Sequence, residues 1–277
     1  MTRRRKLMDH MHQLTEIRDV MDAMKNLALL ETHKLGNLLH NQQALAEDLD
    51  RVAGDFLDFY PHTPQQTQTD CWILFGSERG FCGDFNDALL NELDARLAAS
   101  ADRRQLLVSL GDKLQTKLQD ERHVAAFIVG ADVAEEINSV LNTLIEHLNA
   151  LQSEQGSMNM FALFHDATSD KVASRPLMPP FEAARNESPQ RAYPPCLNIE
   201  PTAFFPELLD RYLFVALQEI AYTSLMAENQ KRIQHMTGAV HRLDETTARL
   251  MRQYHMQRQE DITEEIEVIL LNAVREY

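Results

Sequence analysis

The 277-residue chain carries 42 acidic against 27 basic side chains, a formal charge of −15, and 44% of its residues are hydrophobic. Such a chain can bury a core, but its charge repels phosphate backbones, which argues against a nucleic-acid binder. No run of about 18 uncharged apolar residues is present to cross a bilayer, and Cys71, Cys82 and Cys196 are too few and too scattered for a disulfide framework or a zinc ribbon. The basic start, Met1-Thr2-Arg3-Arg4-Arg5-Lys6, is followed by Asp9 and Glu16 rather than by the apolar core of a signal peptide, so the expectation is a cytosolic protein.

All ten prolines lie between Pro61 and Pro206. Proline breaks helices by removing a hydrogen bond and clashing with the preceding turn, so both flanks are free to be unbroken helix. In the first flank, residues 1–60, steps of three and four link Leu7, Leu14, Ile17, Met21, Met24, Ala28, Leu35, Leu38, Leu45, Leu49, Val52, Phe56 and Phe59. Only His10, Glu31 and Gln42 are polar members of that stripe.

The middle, residues 68–200, alternates strand and helix patterns. Residues 71–76 read as a buried strand, 84–100 as an amphipathic helix and 106–111 as a second strand. A helix follows near 112–120 and another over 131–151, then two strands, 158–165 and 171–178, joined by Asp166-Ala167-Thr168-Ser169-Asp170. This order predicts a small Rossmann-like α/β domain. The Pro-rich stretch 176–206 reads as the connector to the last segment.

The second flank, residues 205–277, repeats the three-four spacing at Phe205, Leu208, Tyr212, Val215, Tyr222, Met226, Ile233, Met236, Val240, Leu243, Leu250 and Tyr254, with Glu219, Asn229 and Thr247 as exceptions. A period of 3.5 sustained this long supports a left-handed supercoil. Neither flank alone hides its stripe, so the expected fold is a long antiparallel two-helix coiled coil from the N- and C-terminal segments, with a central small α/β domain. Beyond Tyr254 the apolar positions resume one residue out of step, at Ile262, Ile266, Ile269 and Ala273, and Val268-Ile269-Leu270-Leu271 is apolar on most of the circumference. A helix end apolar all round needs enclosing, and the expected sleeve is another protein.

The glycine-rich stretch Phe75-Gly76-Ser77-Glu78-Arg79-Gly80-Phe81-Cys82-Gly83 after the first strand invites a nucleotide reading. A P-loop needs a lysine and a hydroxyl after its last glycine, yet Phe81 follows Gly80 and no lysine occurs between Leu35 and Leu110. The Gly-x-Gly-x-x-Gly spacing is absent too. Turn chemistry and close backbone approach explain the glycines better. His10 and His12 face different sides of a helix, Cys82 has no histidine nearby in sequence, and Asp261, Glu264 and Glu265 read as solvated charge. No catalytic, cofactor or metal site assembles.

These parts together resemble the gamma subunit of F-type ATP synthases. Ser77-Glu78-Arg79-Gly80-Phe81-Cys82-Gly83-Asp84-Phe85-Asn86 is similar to the family's turn motif, and 254–266 (YHMQRQEDITEEI) to its C-terminal motif. The segment 22–35 (DAMKNLALLETHKL) matches a shaft segment more loosely. The resemblance implies a non-catalytic central-stalk rotor subunit. It would couple ion transport to ATP synthesis or hydrolysis, with the alpha and beta subunits, the epsilon subunit and the c-subunit rotor ring as partners. It further implies a peripheral position on the cytoplasmic face of the bacterial inner membrane, with no direct membrane insertion. By matched position, Met24, Arg258, Gln259 and Thr263 would face the beta subunit, and Glu200 the rotor ring. Departures are Asp19 and Asp22 where the family carries lysines, Leu197 and Ile199 where it carries tyrosines, and a strongly acidic balance where it is usually basic. They suggest a divergent branch, such as the alternate F-type ATPases. The rival reading is an α/β enzyme dimerised through its helical arms, which requires ligand binding by the middle segment and a stable homodimer.

Overall fold

The computed structural model describes residues 3–61, 67–100, 102–118, 124–180 and 193–275, with only the backbone for residues 3 and 271–275. Residues 181–192 of the expected connector, 119–120 of the expected helix, and the side chains of Leu271 and Ala273 lie outside the described set. The fold is a long N-terminal helix, a central mixed sheet flanked by helices, and a long C-terminal helix.

The elements in order are α1 (Arg3–Leu57), β1 (Thr69–Phe75), α2 (Phe85–Ala99), β2 (Arg104–Leu110), α3 (Asp112–Leu118), β3 (Ala126–Ile128), α4 (Ile137–Gln155), β4 (Asn159–Asp166), β5 (Lys171–Met178) and α5 (Pro201–Arg275). A 3-10 turn, Ala134–Glu136, leads into α4. Two features depart from the sequence reading. The three-residue β3 sits inside the apolar run 124–129, too short to show a period. Helix α5 starts at Pro201 and carries Pro206 inside it. Pro201 suits a first helical position, where its missing N–H is unsatisfied in any case. The Glu200 carbonyl starts the hydrogen-bond ladder, accepting from the N–H of Ala203 at 3.0 Å and of Phe204 at 2.9 Å.

By contact the chain divides into two compact units, Met1–Ala28 with Ile233–Tyr277, and Leu29–Arg232. In the first, Met236 and Val240 are buried and Leu7, Leu14, Met21, Met24, Leu243, Leu250 and Tyr254 half-buried. Helices α1 and α5 are tied there by Arg18 Nε–Asp244 Oδ1 at 2.8 Å and Arg4 Nη1–Asp261 Oδ2 at 3.5 Å. The inward line on α1 differs from expectation at two positions: His10 and Ile17 are exposed, and Met11 and Arg18 take the half-buried places.

The second unit is built on a five-stranded sheet of order β3-β2-β1-β4-β5, parallel except for the β4–β5 pair. Alternate residues of β1 serve opposite faces, as a strand's period of two requires. Trp72 and Leu74 pack with Leu89 and Leu93 of α2 and Leu114 and Leu118 of α3. Cys71, Ile73 and Phe75 face a larger cluster that includes Ile137, Leu141, Leu144 and Leu148 of α4. Leu35, Ala53 and Phe56 of α1 and Leu208, Ala216, Leu217 and Ile220 of α5 belong to it as well. Each fully buried leucine there is worth about 1.5–3 kcal/mol over an exposed one. Along this part of α1 the buried line runs through Gln42, Ala53 and Phe56, while Leu45 and Val52 are exposed. Alanine on the inward side lets the helix backbone approach its neighbours more closely than valine would.

Gly111, just after β2, holds φ at +101°, and a Cβ there would lie 2.6 Å from the Ser77 carbonyl oxygen. Backbone, which cannot swing aside, sets that clash. Gly111→Ala is therefore expected to lower the unfolding free energy by about 2 kcal/mol or more, measured by urea denaturation of the full chain.

Candidate functional site: the glycine turn and the end of α5

In an open α/β sheet, ligands bind outside the carboxyl ends of the strands, where successive connections leave in opposite directions. Here that point lies beside β1: the chain passes from β1 to β2 on one side and returns through α4 to β4 on the other. The glycine turn follows β1 at this place. Its two ends are closed by a reciprocal pair, Ser77 N–H donating to Asn86 Oδ1 at 3.0 Å and Asn86 Nδ2 to Ser77 Oγ at 2.8 Å. Cys82 Sγ donates to Ser77 Oγ at 3.3 Å, and Glu78 Oε2 accepts from the N–H of Asp112 at 3.0 Å and of Gly130 at 2.7 Å. Phe81, with φ +65°, turns its ring outward, while Cys82 and Phe85 pack inward on Ala227 of α5. Burial pushes the Cys82 thiol up, away from a reactive thiolate.

What occupies the crevice is α5 itself. Ser224 Oγ donates to the Phe75 carbonyl at 3.2 Å, and Arg232 Nε donates to the Gly80 carbonyl at 3.3 Å. Arg232 also gives Nη1 to Asn229 Oδ1 at 2.7 Å and Nη2 to Glu228 Oε1. Glu228 and Arg232 are 4% and 6% exposed, so both charges are buried. A cavity of about 40 Å³ remains, bounded by Phe75, Gly76, Gly130, Ser224 and Glu228 among others. Ligand pockets run to about 300–1,000 Å³, so this space is too small for a nucleotide. Among the described residues, no group of three or more His, Cys, Asp or Glu stands where a metal ion could be held.

Burial pushes the Glu228 carboxyl up to about 7, against the lowering influence of Arg232 and of the backbone N–H groups of Arg79 and Glu78. Those two N–H groups belong to the glycine turn.

Of the sequence-predicted contact residues, Met24, Arg258, Gln259 and Thr263 belong to the first unit and Glu200 to the second. Met24 is half-buried on α1, next to Lys25, whose Nζ meets Asp22 Oδ1 at 2.5 Å. Asp22 is held below the usual carboxylate range, first by that hydrogen bond. Arg258, Gln259 and Thr263 are exposed on α5, with Thr263 Oγ1 donating to the Gln259 carbonyl at 2.9 Å. Glu200 is exposed at the start of α5. Along the last described turns, the less exposed positions Leu250, Tyr254, Gln257 and Asp261 keep the three-four step. Ile262, Ile266 and Ile269 stand one residue off it, and with Val268 and Leu270 they are 45% to 66% exposed. The residues that sequence reasoning passed over are Ser224, Glu228 and Arg232. Their signal was an i, i+4 Glu-Arg pair beside Asn229, a polar break in the stripe.

A family model described as ATP synthase matches residues 3–273, and a relative from Clostridium botulinum (strain Langeland) called ATP synthase gamma chain is 23% identical over 207 residues, covering 73% of this chain and 71% of its own. The chain belongs to the ATP synthase gamma-chain family. A second family member, the ATP synthase gamma chain of Mycoplasmopsis synoviae (strain 53), is 22% identical over 282 residues and covers 94% of both chains. Among solved structures, a chain of the central stalk and c-ring of the Tetrahymena thermophila mitochondrial ATP synthase superposes with a TM-score of 0.59 at 15% identity, over 79% of this chain and 99% of its own. A rotor chain of the Euglena gracilis enzyme gives 0.58 at 14% identity, over 94% and 98%. At such identities the two structures speak for the fold.

A carboxyl whose pKa is higher folded than unfolded takes up protons on folding, so its contribution to stability falls as pH rises between the two values. Glu228 therefore makes the folded state progressively less stable from about pH 4.5 to about 7, and flat above. Glu228→Gln is expected to remove that slope. The check is the difference between wild-type and variant unfolding free energies across this range, by urea denaturation.

Proposed function

We infer that the chain is the central-stalk rotor subunit of an F-type ATP synthase or ATPase, carrying torque between the membrane rotor ring and the catalytic ring. The observation that carries this reading is the family match over residues 3–273. The subunit is non-catalytic; ATP chemistry belongs to its partners. The physical support is the run of bare aliphatic side chains at the described end of α5, which water does not favour and which calls for a protein sleeve.

The finer proposal has several parts. Residues 1–60 and 205–277 form an antiparallel coiled coil, and residues 68–200 the central α/β domain between them in the sequence. The cross-helix ion pairs Arg18–Asp244 and Arg4–Asp261 support it, because residue numbers fall on α1 as they rise on α5. Residues Met24, Arg258, Gln259 and Thr263 meet the beta subunit, Glu200 lies toward the c-subunit ring, and alpha and epsilon subunits complete the set of partners. The site is the cytoplasmic face of a bacterial inner membrane, reached without a spanning helix; no described helix is long and apolar enough to cross one. The charge of −15, with Asp19 and Asp22 in place of lysines, supports a divergent branch whose partners carry matching charge.

Coupling then needs only differential contact. A shaft that is not symmetric favours a different conformation of each surrounding catalytic subunit at each angle, and the difference in contact free energy does the work.

Two outcomes test this. Deleting residues 261–277 is expected to weaken co-purification of the full complex, read by mass spectrometry of the partners; undiminished recovery of alpha and beta subunits counts against the sleeve. Spin labels at Met24 and Leu243 are expected to lie close and immobile in the assembled particle. Distant, independently mobile labels would rule out the coiled coil.

A further inference from the structure

One buried titratable side chain of the second unit has a partner on one side only. His165, next to last in β4, is 3% exposed. Its ring lies nearly flat on that of Phe85, with centroids 3.8 Å apart, and its Nε2 stands 2.7 Å from the Phe85 carbonyl oxygen. A carbonyl only accepts, so Nε2 carries the proton and Nδ1 is a bare lone pair. That nitrogen is buried and has no hydrogen-bond partner among the described residues.

What the imidazole holds gives it weight. Phe85 opens α2, is fully buried, and packs with Cys82 of the glycine turn on Ala227 of α5. Asn86, next in the chain, closes the turn through Ser77. A single N–H thus ties the end of β4 to the segment that seats the glycine turn on α5.

We propose that His165 is an acid-released pin: while neutral it holds the glycine turn and the start of α2 against β4, and a second proton, on Nδ1, frees them. An imidazolium needs two acceptors, and this seat supplies one. Burial holds the His165 imidazole below its ordinary value, against the raising influence of the Phe85 carbonyl. Of the charged groups around it, Lys231 of α5 opposes the proton, while Asp170 of the β4–β5 turn and Asp84 before α2 favour it. Lys231 Nζ and Asp170 Oδ1 pair at 3.0 Å, which offsets those two against each other. Glu92 of α2 and Lys171 of β5 line the same open cavity of about 510 Å³ that His165 borders, and the neighbouring Cys82 thiol is kept neutral by burial. Water stands close by, but Nδ1 meets it only when the ring leaves its seat.

The sign follows from linkage. A histidine whose folded value is depressed gives stability that is complete above its unfolded value, 6.5, and is lost as pH falls toward the folded one. Within that window the opened form binds a proton that the closed form refuses, so the opening equilibrium rises by up to about tenfold per pH unit. The hold of α5 on the turn at Ala227 loosens with it. Glu228 acts in the opposite sense, taking up a proton on folding. The comparison of wild type with a variant, rather than the wild-type profile alone, therefore isolates His165. The proposal does not rest on the rotor reading.

The test is amide hydrogen exchange on the full-chain subunit, corrected for the intrinsic pH dependence of exchange. It is read at Ser77 and Ala88, whose N–H groups bond to Asn86 Oδ1 and to the Asp84 carbonyl. Protection in wild type relative to H165Q, which keeps a donor but does not titrate, is expected to fall severalfold, up to about tenfold, between about pH 6.5 and 5.5. H165F, which keeps only the stacked ring, should start less protected than wild type and show the same flat profile as H165Q. A ratio of wild type to H165Q that does not change with pH overturns the pin. If neither variant folds, nitrogen NMR of the wild-type imidazole decides. An Nε2–H tautomer whose Nδ1 stays unprotonated well below the ordinary histidine value supports the proposal, and ordinary titration with the amides of the turn undisturbed overturns it.

Discussion

A parallel sheet is stable only when both of its faces are covered, and here one covering is borrowed from the ends of the chain. Cys71, Ile73 and Phe75 have α4 to pack against, but α4 alone leaves the cluster open; residues 35–57 of α1 and 208–225 of α5 complete it. The opposite face needs only α2 and α3. The α/β part is therefore no independent module attached to two helices. It shares one core with the adjoining parts of both helices, whose residues are core residues of the sheet domain.

That dependence explains the fate of the glycine turn. A sheet of this topology offers a ligand crevice at the end of β1 whatever the protein does. With α5 laid along the same face, the crevice must be filled by whatever side chains α5 presents there, and it presents Ser224, Glu228 and Arg232. A fold widely used for binding nucleotides has its binding position spent on holding its own helix. Family membership and local geometry thus agree on a chain whose work is done through contact rather than chemistry.

Much of this was legible in the amino-acid order. The α5 stripe was read with every position from Phe205 to Tyr254 buried or half-buried, because a helix that long averages out local accidents. On α1 the same reading failed at His10 and Ile17, and again at Leu45 and Val52. At the second pair the neighbours are the sheet and α5 together, and alanines on the adjacent line admit closer packing than the heptad's own residues. The short β3 carried no period, and Pro206 looked like a boundary because its tolerance so near a helix start depends on what the start supplies. Most informative were the polar breaks in the two stripes. Glu31 accepts from the Ala134 N–H at 3.4 Å, Gln42 donates to the Val215 carbonyl at 3.1 Å, Glu219 meets Arg175 at 2.6 Å, and Asn229 holds Arg232. Glu31, Gln42 and Glu219 each tie their helix to another element, whereas Asn229 bonds within α5. Partner contacts at Met24, Arg258, Gln259, Thr263 and Glu200 could be named only through resemblance, since a surface made for another protein looks unremarkable until that protein is present.

The bare hydrocarbon along Ile262, Ile266, Val268, Ile269 and Leu270 has a consequence for the life of the newly made chain. An unsheathed apolar helix end is sticky toward chaperones, lipids and other copies of itself. Manufacture of this polypeptide outpacing that of its companions would leave orphans prone to clumping or proteolysis. Matched synthesis of the whole set is the remedy that the chain's own chemistry demands.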